Sequence, residues 1–224
     1  MVLTGNSNKQ EVYKQLYAKI VNAKYVPGQK ISEKDLSEEY HIGRTPLREI
    51  IMQLKLDGLV ETVPQSGTYI TKINLKFATN ARFVRESIET RIIREAAVKI
   101  TPSQVIDVES IVSKQRILLG NDDFYQEFMQ LDNDFHAMFY KIVDKEEIWD
   151  WIGQISPQLL RFRNLRLLDK QFSWEKLVDD HEKIAEAVKK HDLEEASHLV
   201  ENHTHLMLDE KVGLMAEFPS YFVE

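Results

Sequence analysis

Hydrophobic positions along the chain fall into two regimes. Up to about residue 75, short apolar stripes are broken every ten to fifteen residues by Gly, Pro or polar turns. Val12, Leu16 and Ile20 recur every fourth residue, which predicts an amphipathic helix over residues 11–23. Pro27-Gly28 closes it as a turn. Ser32 precedes Glu33, Lys34 and Asp35, a cap followed by acidic first-turn residues, and predicts a short helix through Tyr40 with Leu36 inward. After the break at His41-Ile42-Gly43, Thr45-Pro46 opens a further helix whose buried stripe is Leu47, Ile50, Ile51 and Leu54, and Gly58 ends it. β-Branched residues on both sides of Pro64-Gln65-Ser66-Gly67 predict a hairpin over residues 59–71. Two short helices joined by a tight turn and followed by a hairpin make a winged helix-turn-helix.

From Lys76 onward the strand signals vanish. Helical periodicity predicts segments over residues 77–100, 102–119, 122–143, 146–168, 173–190 and 192–215, six antiparallel helices forming an all-α bundle. Asp144 with Glu147, and Asp192 with Glu195, have the spacing of capping boxes. The expected fold is therefore mostly α: a winged helix-turn-helix domain over residues 1–75 and a helical domain over residues 76–224, with the linker near residues 71–78.

Composition then changes the picture in one respect. A net charge of −7 argues at face value against a nucleic-acid partner, but the charge is segregated. Residues 1–75 hold ten Lys/Arg against eight Asp/Glu, +2; the remainder holds nineteen against twenty-eight, −9. The chain has no cysteine, so neither disulfides nor thiolate metal sites are available. It has no apolar run long enough to cross a membrane and no signal-peptide core, and a cytoplasmic location is expected.

Arg44, Thr45 and Arg48 lie at the N-terminal end of the second helix of the pair, the end that approaches base edges in the major groove. Arg pairs bidentately with guanine, and Thr reaches a phosphate or a thymine methyl. Gly67 is placed at the wing tip, where backbone passes close to DNA. In the helical domain, Asp132 and His136 are four apart and share a helix face. In a hairpin turning at residues 191–192, His181 and His203 stand at similar distances from the turn and face each other, whereas His198 is out of level, His191 sits at the turn and His205 faces away. One carboxylate and three imidazoles suit zinc, nickel, cobalt, manganese or Fe(II) better than magnesium or calcium. No nucleophile motif or general base beyond these ligands is evident, so no enzymatic activity is expected.

The segment from Tyr13 to Ile70 resembles the N-terminal domain of the GntR family of bacterial transcription regulators. The resemblance is carried by Pro27-Gly28, Ile31-Ser32-Glu33, Leu36, the run Arg44-Thr45-Pro46-Leu47-Arg48-Glu49, Leu54, Asp57-Gly58-Leu59-Val60, Pro64 and Gly67. It implies DNA contacts from Lys34, Arg44, Thr45 and Arg48, with Gly67 in the wing. Three positions depart from the pattern: His41 replaces the usual turn glycine, Gly43 the usual capping Ser, and Ala23 the glycine that often ends the first helix. Residues 80–210 resemble the FCD domain of the FadR subfamily, through Arg85-Glu86-Ser87-Ile88-Glu89, Asp132-Asn133-Asp134-Phe135-His136, His181, Asp192 and His203. That likeness implies a metal held by Asp132, His136, His181 and His203, zinc foremost, and a small carboxylate effector met by Arg85, with Arg163 as a second candidate. Six helices resemble the VanR-like branch. The alternative for these arginines is that Arg85 pairs with Glu89 on its own helix and that Arg161 and Arg166 lie at the surface. The implied function is repression at a pseudo-palindromic double-stranded operator by a homodimer, relieved by the organic acid; the alternative is a regulator whose effector is the metal itself.

Overall fold

The structure, a computed structural model, describes residues 5–223 of the 224-residue chain. Helix α1 (Gly5–Val21) buries Val12, Leu16 and Ile20 against helix α3 (Arg44–Leu56). Between them, strand β1 (Lys30–Ile31) leads into α2 (Glu33–Glu39), whose cap Ser32 accepts a hydrogen bond from the Asp35 amide at 3.2 Å. Gly43 caps α3 without a side-chain bond, as the loss of Ser at that position predicts. Strands β2 (Val60–Val63) and β3 (Gly67–Ile70) form the wing, with Val60 opposite Ile70 and Val63 opposite Gly67. β1 pairs with the other edge of β3, completing a three-stranded antiparallel sheet.

Two of the departures from the family pattern sit where backbone geometry favours glycine. Ala23 has φ +54° and His41 φ +49°, left-handed conformations that cost an L-residue energy. The turns expected of glycine are therefore made anyway, at a strain the rest of the domain absorbs.

The second domain contains α4 (Leu75–Lys99), α5 (Pro102–Leu118), α6 (Tyr125–Ile142), α7 (Glu146–Ile155), α8 (Pro157–Leu168), α9 (Trp174–Lys189) and α10 (Leu193–Glu217). These are seven helices where six were expected. The apolar pattern runs unbroken through residues 146–168, but Pro157 disfavours helical backbone at the residue before it, and Ser156 adopts φ −117°, ψ 25°. α7 and α8 are thereby separate, and the count no longer points to the six-helix VanR-like branch. Asp192 caps α10 as predicted, accepting from the Glu195 amide at 3.1 Å. Asp144 does not cap α7: it lies at φ +58° and Lys145 occupies the cap position without a side-chain bond. A reciprocal capping box occurs instead at Thr101 and Gln104, ahead of α5.

The domains meet at α8. Gln158 Nε2 donates to the Gly58 carbonyl at 2.9 Å, and its Oε1 accepts from the Asn74 amide at 3.2 Å. Arg161 donates through Nη2 to the Thr71 carbonyl at 2.6 Å and through Nη1 to Thr71 Oγ1 at 3.1 Å. Leu160 packs against both domain cores. The linker is also pinned by the C-terminal tail, since the Ile73 amide donates to the Tyr221 carbonyl at 2.8 Å and the Val223 amide to Ile73 at 3.0 Å.

Replacing Ala23 by Gly is expected to relieve the left-handed strain and to raise the urea midpoint by an amount equivalent to about 0.5–1 kcal/mol. A midpoint that stays or falls counts against the strain argument.

Candidate metal centre and nucleic-acid interface

Asp132 and His136 project from one face of α6, His181 from α9 and His203 from α10. Each offers a ligand atom, and these atoms lie within 4.8 Å of one another; all four residues are buried. His181 Nε2 lies 3.3 Å from His203 Nε2 and 3.7 Å from Asp132 Oδ1. Two donors each about 2.1 Å from one ion stand at most about 4 Å apart, so the pair is spaced as a shared ion requires.

The opposite side of each imidazole meets an oxygen. His136 Nδ1 lies 3.2 Å from Glu89 Oε2, His181 Nδ1 donates to Gln115 Oε1 at 2.8 Å, and His203 Nδ1 faces Asp180 Oδ2 at 3.7 Å. Of these contacts the hydrogen bond to Gln115 orients the His181 ring and keeps the proton on its Nδ1, while Glu89 and Asp180 face the other two rings without a hydrogen bond. His136 Nε2 is left buried without a partner. An orphaned lone pair inside a core is costly, and a cation relieves it. Phe135 stacks on His181 at 3.9 Å between centroids and keeps water from that side.

Protonation states favour ligation. Burial, with Arg85 adding to it, lowers His136 to about 4 against the pull of Glu89 and Asp132. Burial also lowers His181 well below the ordinary range, helped by His203. Burial alone would raise Asp132, but Arg163 and the three histidines outweigh it and hold the carboxyl far below the usual carboxylate range. Glu89 behaves alike: burial pushes it up, Arg85 and His136 bring it down to about 2. Near neutral pH the site therefore presents an anionic carboxylate and neutral His136 and His181 rings, the forms a divalent transition ion needs.

Next to this cluster, between α4, α6, α8, α9 and α10, is a cavity of about 70 Å³. Its walls are Leu159, Phe162, Leu177, Met129 and Met207, with Asp132 and His203 at one end. Both sequence-predicted effector residues line it. Arg85 donates to Glu89 at 2.9 Å, stands over the Trp149 ring at 5.4 Å and leaves Nη2 unpartnered. Arg163 donates to Asp132 Oδ2, and to Asn133 Oδ1 at 3.0 Å. Arg82 and Arg166 also line it, and sequence reasoning missed both. Arg166, expected at the surface, is 6% exposed and pairs with Glu210; Arg161, also expected there, is 2% exposed and grips the linker. The available signal was spacing: Arg82 precedes Arg85 by one helical turn, and Arg166 follows Arg163 by one.

In the first domain, Arg44, Thr45 and Arg48 are exposed on the opening turns of α3, and Lys34 on the first turn of α2. Lys34 faces Glu38 at 3.8 Å and Arg48 faces Glu33 at 3.9 Å, loose surface pairs that a phosphate can displace. Gly67 lies at the start of β3, just past the turn at residues 64–66, rather than at the tip. Its φ is +136°, and a Cβ there would fall 2.7 Å from Lys30 Cε, so glycine lets the Lys30 side chain cross the wing.

A winged helix-turn-helix with its reading end exposed, tied to a helical domain with a buried polar cavity, defines a DNA-binding regulator. Residues 8–70 match the family described as bacterial regulatory proteins, gntR family, and residues 81–206 match the FCD domain. The chain is 30% identical over 215 residues to the HTH-type transcriptional repressor RspR of Escherichia coli K12, covering 96% of this chain and 93% of that protein. It is 24% identical over 195 residues to the gluconate operon transcriptional repressor of Bacillus subtilis, covering 85% and 79%. Among solved structures it is similar to E. coli McbR/YncC, with a TM-score of 0.74, 16% identity, and 97% and 100% of the two chains covered. The chain belongs to the GntR family, with an FCD domain as its helical part: a family of transcriptional regulators, not enzymes.

Replacing Gln115 by Leu removes the acceptor that orients His181 while nearly preserving volume. Zinc affinity, measured by competition with a chelating dye, is expected to fall about 10–100-fold. The exposed His205→Ala serves as control and is expected to change nothing; equal affinities in all three proteins would show that His181 is not a ligand.

Proposed function

We propose that the protein is a repressor whose operator affinity is set by a small organic acid bound beside a metal at Asp132, His136, His181 and His203. The observation that carries this reading is the junction of that buried ligand set with an arginine-lined cavity. A divalent ion there supplies Lewis-acid attraction for an acid oxygen. Zinc suits a closed four-ligand site; manganese, cobalt, nickel and iron keep further positions open. Arg85 and Arg163 orient the acid, and the apolar wall excludes water from the charged contacts.

Arg44, Thr45 and Arg48 read base edges and Lys34 a phosphate. A homodimer places two α3 helices in successive major grooves of a pseudo-palindromic operator. The path between the sites is α8. It lines the cavity through Phe162, Arg163 and Arg166, and holds Gly58, Thr71 and Asn74 through Gln158 and Arg161. An acid that draws on Arg163 or Arg166 biases the position of α8 and, with it, the winged domain.

Operator affinity by fluorescence anisotropy tests this. Changing Arg44 and Arg48 together to Ala is expected to weaken operator binding by at least about 100-fold, since each base contact is worth about 1–3 kcal/mol. Adding carboxylates to the metal-loaded protein is expected to weaken binding, and failure of every acid to do so sinks the effector reading. Release of the operator by chelation alone supports the second reading, in which the metal itself is the effector. Arg161→Met is expected to retain metal and acid binding but to reduce the response of operator affinity to the acid, normally about 5–150-fold in such couplings. An undiminished response would exclude the linker contact as the path.

A further inference from the structure

The four arginines around the cavity are matched one for one by carboxylates. Arg82 pairs with Glu86, Arg85 with Glu89 at 2.9 Å, Arg163 with Asp132, and Arg166 with Glu210 at 2.7 and 2.9 Å.

Unpartnered donors show where a second anionic group would sit. Arg82 Nε, Arg85 Nη2 and Arg166 Nη1 are all buried without a hydrogen-bond partner, on side chains more than nine-tenths buried. Arg85 is one turn along α4 from Glu89, which touches His136, and belongs to the metal end. Arg82 is one turn further on. α10 runs antiparallel to α4, since Arg94 meets Glu194 at one end and Thr204 meets Glu86 nearer the other. Thr204 meets Glu86, so Arg82 lies about one turn, ~6 Å, past the level of His203, and Glu210 about two turns, ~10 Å, past it in the same direction. The cavity therefore has two poles: a metal pole with Arg85, and an arginine pole made by Arg82 and Arg166.

We propose that the effector of this site is a compact dianion, a diacid whose first acid group lies at the metal pole and whose second is held by Arg82 Nε and Arg166 Nη1. The inference rests on the carboxylate-effector reading above and adds to it the number of charges and their spacing. A cavity of about 70 Å³ excludes nucleotides and long chains and favours the shortest diacids.

The test measures binding to nickel-loaded full-length protein by calorimetry, since nickel keeps open positions beside the four protein ligands. Succinate, glutarate and adipate are compared with the isosteric monoacids butyrate, valerate and hexanoate. At least one diacid is expected to bind about tenfold or more tightly than its monoacid partner, the worth of a charge-assisted hydrogen bond. Removing Arg82 or Arg166 alone would strand a buried carboxylate, so the variants are the balanced doubles R82Q/E86Q and R166Q/E210Q. Each is expected to erase most of the diacid preference while keeping the affinity for the monoacid, which also reports an intact fold and metal pole. Monoacids binding as tightly as diacids, or a preference surviving in both doubles, overturns the dianion proposal and leaves the carboxylate reading standing. If no acid of either kind binds, both fall.

Discussion

The helical domain is organised by one constraint: charge buried inside it must be matched group for group. Arg82, Arg85, Arg166, Glu89 and Asp132 are all less than a tenth exposed. Each unpaired ion in such surroundings costs several kcal/mol, and even a paired one gains little over a well-packed apolar substitute. Stability alone does not call for such an interior. The apolar framework that could have filled it is present: Phe128, Phe135, Phe162 and Tyr140 are nearly inaccessible and enclose the polar centre. Low polarity around the pairs strengthens every electrostatic contact a ligand would make there. The ion pairs are thus best understood as preorganised binding groups held in check by one another.

The same constraint explains why α8 is set apart from α7. A continuous helix through residues 146–168 would carry its side chains in a single register. The break before Pro157 gives α8 its own direction, with Phe162, Arg163 and Arg166 on the cavity and Gln158 and Arg161 on the linker. Arg161 differs from the cavity arginines because its recorded contacts are to carbonyl, hydroxyl and amide oxygens rather than to a carboxylate. Burial lowers it to about 10. Contacts of this kind are directional and are lost on small displacements. A latch without an opposing charge is easier to release than a buried ion pair.

Much of this was legible in the sequence, for reasons that can be named. The stripe Leu47, Ile50, Ile51 and Leu54 and the cap Ser32 are local signals, and the structure reproduces both. The cluster of Asp132, His136, His181 and His203 was legible because helix rise is fixed: residues ten before and twelve after a turn stand at similar heights, and His181 and His203 meet. What stayed hidden depends on three-dimensional placement. Gln115 and Glu89 touch the histidines only because α5 and α4 pack beside them, 66 and 47 positions away along the chain. Arg166 looked like a surface residue because an isolated arginine normally is one; its burial follows from Glu210, which comes from α10 and cannot be read from α8. The break at Ser156 was masked by an apolar pattern that continues across it.

The net charge of −7 also takes on a physical meaning once the charges are placed. At physiological ionic strength, fields between exposed charges fade over about 8 Å. The acidic excess belongs to the helical domain, whereas Lys34, Arg44 and Arg48 lie on the first turns of α2 and α3, so the local field at that end differs from the average of the chain. Inside the helical domain the relevant quantity is likewise local. There four arginines lie against carboxylates, and the acidity of the surface is separate from these buried pairs. Screening thus makes charge within a few ångströms the relevant quantity, which is why a whole-chain average pointed away from DNA.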